Sequence, residues 1–179
     1  MNNVIIGVDV DDLLLKLVKK WLEVHNKINN DNVNEQDVLS WDIATYTNLK
    51  NTPKDFYKIL TPEIYEDIEM VDGALDGVNK LREIGRVIFI TSNYGNIEGA
   101  KYDALNRHGF NVDKKDFFSA YDKSLIKNHV LFDDNYDNVV RAYNKGVLFT
   151  RPWNKPSVYT PRCDNWNEII RWCEAEFKK

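Results

Sequence analysis

Four short, unbroken apolar runs divide this chain, and between them apolar residues recur at helical spacing. Residues 3–8, NVIIGV, are mostly β-branched and continuous, the pattern of a strand buried on both faces. The pattern returns at 86–92 (RVIFITS), 129–134 (HVLFDD) and 147–150 (VLFT). Residues 12–26 predict a helix, with Leu13, Leu14, Leu17, Val18, Trp21 and Leu22 inward and Lys19, Lys20 and Glu23 in water. A polar, Asn-rich link follows at 26–37. Short helices rich in aromatics are expected over 38–70, where Thr52-Pro53 and Thr61-Pro62 read as helix starts with Thr as cap. Leu75, Val78, Leu81 and Ile84 stripe a helix that begins at Gly73 and ends at Gly85. Further helices are expected at 97–108, at 136–144 before Gly146, and in the tail from a cap at Asp164 or Asn165; DKKDFF (113–118) reads as a helical turn.

Nearly all-apolar strands alternating with helices indicate an α/β fold with a parallel sheet covered on both faces. One interval breaks the rhythm. A βαβ unit needs about 30 residues, yet the first strand ends near Val8 and the second begins near Arg86. The expected organisation is a core of 1–13 and 71–179, with 14–70 as a small helical cap over the carboxyl edge of the sheet.

With 179 residues, 43% of them hydrophobic, the chain can fill a core of its own. A net charge of -4 without a strong Lys/Arg cluster argues against stable nucleic-acid binding. Cys163 and Cys173 fit no metal or CxxC pattern and read as reduced thiols. The acidic N-terminus does not suit a signal peptide, and no apolar run approaches the roughly 20 residues that span a bilayer. A cytoplasmic protein without membrane contact is expected. Trp153, Trp166 and Trp172 read as packing or interface residues, which leaves a homodimer open.

The chemistry is expected where open α/β sheets bind ligands, outside the carboxyl ends of the strands. The first strand ends on Asp9 and Asp11, the second on Thr91 and Ser92, the third on Asp133 and Asp134, with Lys123 just before the third. Carboxylates gathered that closely need a compensating cation. An all-oxygen donor set favours Mg²⁺ over zinc. A carboxylate beside such an ion can attack phosphorus and form an aspartyl-phosphate, and a second can move the proton. Each piece alone has a plainer reading: acids as strand-end turns or helix caps, Lys101 as a surface lysine, Trp41 and Tyr46 as the small core of the insert.

The series GVDVDD (7–12), FITSN (89–93), Lys123 and LFDD (131–134) resembles the haloacid dehalogenase (HAD) superfamily, whose fold is a Rossmann-like three-layer sandwich. With YEDIEMVDGALDGVNKL (65–81), Lys101-Tyr102, DKSLIKNHVLFDD (122–134) and NWNEII (165–170), it resembles the 5'(3')-deoxyribonucleotidase family. The resemblance implies Asp9 as nucleophile and metal ligand, and Asp11 as acid/base with its backbone carbonyl on the metal. Thr91 and Lys123 would hold the phosphoryl group, with Ser92 and Lys101 as further phosphate contacts. Asp133 and Asp134 would complete a Mg²⁺ site. Trp41, Tyr46 and Asn93 are candidates for contacting a nucleotide substrate. Two departures stand out: Asp12 where many relatives have Gly, read as added charge or a solvent-facing side chain, and Asn93 where Pro is common. A HAD phosphatase acting on another phosphate ester, or on a nucleic-acid 3'-phosphate, has the same core motifs. A receiver-like phosphoacceptor module would instead need its lysine on the last strand.

Overall fold

In the computed structural model, which describes residues 4–92 and 96–178, β1 (Ile5–Asp9) leads into α1 (Leu17–Asn29). Then come α2 (Pro53–Tyr57), α3 (Ala74–Ile84), β2 (Arg86–Thr91), α4 (Glu98–Arg107) and β3 (Phe117–Ser119). The last part holds β4 (Val130–Asp133), α5 (Tyr136–Val140), β5 (Gly146–Phe149), β6 (Arg162–Cys163) and α6 (Trp166–Phe177). Among the described residues the strands form one sheet in the order β3-β2-β1-β4-β5-β6. Every neighbouring pair is parallel.

Alternation along each strand feeds two apolar layers. Val87, Phe89, Val130 and Phe132 join the large cluster on one face; Ile88, Ile90 and Leu131 form a smaller one on the other. The chain runs outward from β1 in both directions. The place where the order reverses, at the carboxyl end of β1, is where such a sheet opens a crevice.

The four expected strands are all present, and two more extend the sheet. Only the first half of DKKDFF is a helical turn, at Lys114–Asp116; Phe117 then pairs with Phe89 as β3. β6 has two residues and is held by β5. The first helix starts at Leu17 rather than at residue 12. Residues 10–16 instead fold back on themselves: the Asp12 N–H donates to the Leu15 carbonyl at 2.6 Å, and Leu14 and Leu15 both donate to Val10. Leu13 and Leu14, expected on the inner face of that helix, are buried in this turn instead, with Leu15 beside them. α5 stops at Val140, short of 144. Thr52 and Thr61 occupy cap positions before Pro53 and Pro62, but neither hydroxyl caps its helix. Asn165, not Asp164, caps α6 by accepting from the Glu168 N–H at 3.1 Å.

Between β1 and α3 the chain makes α1, α2 and three 3₁₀ turns, Glu35–Asp37, Ile43–Tyr46 and Pro62–Tyr65. Trp21 stacks on Phe56 with ring centroids 4.5 Å apart. Both belong to the same apolar cluster as Val8 and Phe132 of the sheet, so this segment is packed onto the core rather than tethered to it.

Close approach explains one glycine. A Cβ at Gly146 would lie 2.1 Å from the Val139 carbonyl oxygen, a backbone atom that cannot swing aside. Gly146→Ala is therefore expected to destabilise the protein by roughly 3 kcal/mol, read as a lower denaturant midpoint with unchanged slope. A midpoint equal to wild type would show that β5 and α5 separate freely.

Candidate active site

Strand register places the acids. Val8 lies opposite Phe132, so the next residues, Asp9 and Asp133, stand side by side at the carboxyl ends of β1 and β4. On the other flank Asp9 lies opposite Ile90, with Thr91 one step beyond. Asp134 follows directly. Asp9, Asp133 and Asp134 are all buried, and each offers an oxygen within 4.8 Å of the others.

One ammonium bridges two of these three carboxylates. Lys123, from the 3₁₀ turn Lys123–Leu125, donates to Asp9 Oδ1 at 2.5 Å and to Asp133 Oδ2 at 2.8 Å. Asp133 also accepts from the Asn135 N–H at 2.8 Å and from Asn138 Nδ2. Burial pushes the Asp9 carboxyl up to about 7, Asp133 adds to the rise, and Lys123 opposes it. Burial likewise raises Asp134 well above the usual carboxylate range, helped by Asp12 and Asp9. Burial works against the charge of Lys123, but Asp133 and Asp9 outweigh it and hold the ammonium above its ordinary value. The cluster is thus short of positive charge. Its donors are all carboxylate oxygens, the set that suits a hard divalent cation such as Mg²⁺.

A second group stands beside the first. Lys101, buried on α4, donates to Asp11 Oδ2 at 2.5 Å, to Thr91 Oγ1 at 2.8 Å and to the Ser92 carbonyl at 3.0 Å. The Tyr65 hydroxyl donates to Asp11 Oδ1 at 3.0 Å. Burial, followed by Asp11, raises the Tyr65 phenol well above its ordinary value, so it stays a donor. Each candidate catalytic acid therefore has its own lysine: Lys123 for Asp9, Lys101 for Asp11. The Asp11 carboxylate is turned to Lys101 and Tyr65 and is not one of the three clustered acids. Ser92 meets Lys101 through its backbone carbonyl.

Asp12 does not face solvent. It is 2% exposed, and its carboxylate accepts from the Val18 N–H at the start of α1. Its φ of +57° lies in the left-handed region that favours Gly and tolerates Asp, which accounts for both residues at this place in the motif.

Trp41 is 39% exposed and stacks on Trp153, centroids 5.5 Å apart. The Trp153 indole in turn donates to Asp134 Oδ2 at 2.8 Å, which brings Trp41 to the edge of the acid cluster. Tyr46 is half-buried, its hydroxyl bonded to Ser40 Oγ at 3.1 Å. Asn93 lies outside the described residues. Two contributors escaped the sequence reading. Tyr65 carried no signal in an aromatic-rich stretch. Trp153 did carry one, since it follows β5 at the same carboxyl edge as the acids.

No helix among the described residues is long and apolar enough to cross a membrane. Solved structures share the fold. A haloacid dehalogenase-like family hydrolase from Streptococcus pneumoniae aligns with a TM-score of 0.64 at 10% identity, over 96% of this chain and 99% of that one. A HAD-hydrolase from Bacillus subtilis, YfnB, bound to magnesium, aligns with a TM-score of 0.61 at 13% identity, over 97% and 100%. Among curated proteins, a 5'(3')-deoxyribonucleotidase of Bacillus subtilis (strain 168) is 25% identical over 169 residues, 93% of this chain and 96% of that protein. One of Clostridium acetobutylicum is 22% identical over 175 residues, 98% and 97%. The family described as "5' nucleotidase, deoxy (Pyrimidine), cytosolic type C" matches residues 3–175. With a HAD-like fold and a match over nearly its whole length, the chain belongs to this 5'-nucleotidase family, hydrolases of phosphoric monoesters.

Proposed function

We propose that this enzyme hydrolyses (deoxy)nucleoside 5'(3')-monophosphates to nucleoside and phosphate through an aspartyl-phosphate on Asp9, with Mg²⁺ as cofactor. The observation that carries the reading is the buried trio Asp9, Asp133 and Asp134, of which only Asp9 and Asp133 are met by the ammonium of Lys123. These carboxylates, with the backbone carbonyl of Asp11, would hold Mg²⁺, which would supply positive charge against the phosphoryl oxygens.

The rest falls to the chain's own residues. Thr91, Ser92, Lys101 and Lys123 hold the phosphoryl group in line with Asp9. An Asp9 oxygen bonds to phosphorus as the bond from phosphorus to the sugar oxygen breaks, and Asp11 gives that oxygen a proton. Asp11 then takes a proton from water, whose oxygen attacks the phosphorus. The acyl phosphate splits into phosphate and free Asp9. Residues 14–70 act as the cap over this edge, keeping bulk water out, with Trp41, Tyr46 and Asn93 as the candidate contacts for the nucleoside. The free thiols of Cys163 and Cys173 suit the cytoplasm.

A panel of phosphate esters tests the substrate. With Mg²⁺ present, kcat/KM for nucleoside monophosphates should exceed that for simple sugar phosphates by about tenfold or more, and chelation should abolish turnover until Mg²⁺ is restored. Equal turnover of sugar phosphates, or preference for a nucleic-acid 3'-phosphate, would shift the reading to another ester. Full activity in chelator would remove the metal.

A further inference from the structure

The tetrapeptide Arg151-Pro152-Trp153-Asn154 follows β5 and has no part in the reaction above. Yet it reaches the acid-bearing segments through three side chains. Asn154 Nδ2 donates to the backbone carbonyl of Asp134 at 2.7 Å. Arg151 Nε donates to the backbone carbonyl of Asp12 at 2.6 Å. Trp153 Nε1 donates to the Asp134 carboxylate itself, at Oδ2 and 2.8 Å.

The last contact differs in kind from the other two. It fixes a side chain that belongs to the metal cluster. A carboxylate turns about its own bonds, and a partner on one oxygen decides where the other points. An indole N–H suits that task, since it donates one hydrogen bond, never accepts, and carries no charge to compete with a cation. Trp153 is only 4% exposed, so its bond to Asp134 is shielded from water. Its ring also stacks on Trp41, and the turn Glu35–Asp37 packs against the turn Pro152–Asn154. The segment between β1 and α3 thus rests on the ring that holds a metal carboxylate.

We propose that Trp153 is a positioning residue for the cation site: its N–H holds Asp134 Oδ2 so that Oδ1 is left for the ion, and Trp41 makes that hold depend on where the segment between β1 and α3 sits. The proposal rests on the Mg²⁺ reading above, and the test separates the two.

Calorimetric titration of the full chain with Mg²⁺ alone, without nucleotide, is the measurement. Trp153→Phe keeps a ring but loses the donor, and should bind Mg²⁺ about 10–100-fold more weakly than wild type. Its kcat/KM should fall at low Mg²⁺ and recover as Mg²⁺ is raised. In an Asp134→Asn background the same change should cost no further affinity, because the indole acts through that carboxylate. Trp41→Ala, a half-exposed site, should show a smaller loss in the same direction. One readout needs no variant. In wild-type protein the Trp153 indole resonance should move as Mg²⁺ is added, while that of Trp21, donated to the Phe56 carbonyl, stays in place. Wild-type affinity in Trp153→Phe, or a Trp153 resonance that ignores Mg²⁺, would overturn the positioning role. An unchanged Trp41→Ala would overturn the coupling to the segment. Failure of the wild type to bind Mg²⁺ would overturn the metal reading and this proposal together.

Discussion

Asp9→Asn is expected to keep less than about 1% of wild-type kcat while folding normally. An amide oxygen is too weak a nucleophile to displace an alkoxide from phosphorus, and no other carboxylate stands where Asp9 does. Lys123 loses one of its two acidic partners but keeps Asp133 at 2.8 Å. The same substitution carries a stability signature. In the metal-free protein Asp9 titrates at about 7 instead of 3.8, because burial disfavours its charge and Asp133 repels it. Between those values the folded state still holds a proton that the unfolded chain has released. Stability therefore declines as pH rises through that window, and the whole penalty stands above it. Asn removes the penalty. With chelator present, the melting temperature of the variant minus that of wild type should grow from pH 4 to pH 7 and then level off, and Mg²⁺ should stabilise the wild type more than the variant. A difference flat across pH would mean that Asp9 carries its charge without strain. Activity above a few per cent would end its role as nucleophile.

The acid cluster was legible because buried parallel strands read as unbroken apolar runs, and an acid at the end of such a run has no place in the core. Alignment of the carboxyl ends did the rest, since neighbouring parallel strands present their ends on one side. Other parts could not be read, for physical reasons. β3 and β6 have three and two residues, too few for any periodicity, and exist because β2 and β5 offer them open edges. Leu13 and Leu14 look like the start of a helical face, but tertiary burial overrides that preference and Asp12 takes up a left-handed turn. Tyr65 meets Asp11 across 54 residues, a distance along the chain over which local pattern says nothing. Lys101 was legible only through the family resemblance. By pattern alone it is a helix-surface lysine, yet it is 1% exposed and bonded to Asp11.

Asp11→Asn should lower kcat on nucleotides by about 10²–10⁴, and the loss should depend on the leaving group. Asn retains the size of Asp; its amide oxygen can still accept from Lys101, and its amide N–H can donate to the Tyr65 hydroxyl in place of the bond Tyr65 now gives, so the pocket should keep its shape. What it loses is the capacity to give and take a proton. Expulsion of a sugar alkoxide needs that proton, and so does attack by water in the second step. Nitrophenolate leaves without it. With p-nitrophenyl phosphate the variant should therefore pass the first step almost unhindered and stall at the second. The expected trace is a burst of nitrophenolate equal to the enzyme present, then slow turnover, with covalent phosphate on the protein by mass spectrometry. Asp9→Asn should show neither burst nor adduct, and Asp11→Asn combined with Asp9→Asn should behave like the latter. Equal losses on both substrates with no burst would place Asp11 outside proton transfer and leave it a structural partner of Lys101. The contrast is informative because the two acids are held by different lysines: substituting one leaves the other acid's pair intact, so loss of the nucleophile and loss of proton transfer can be told apart.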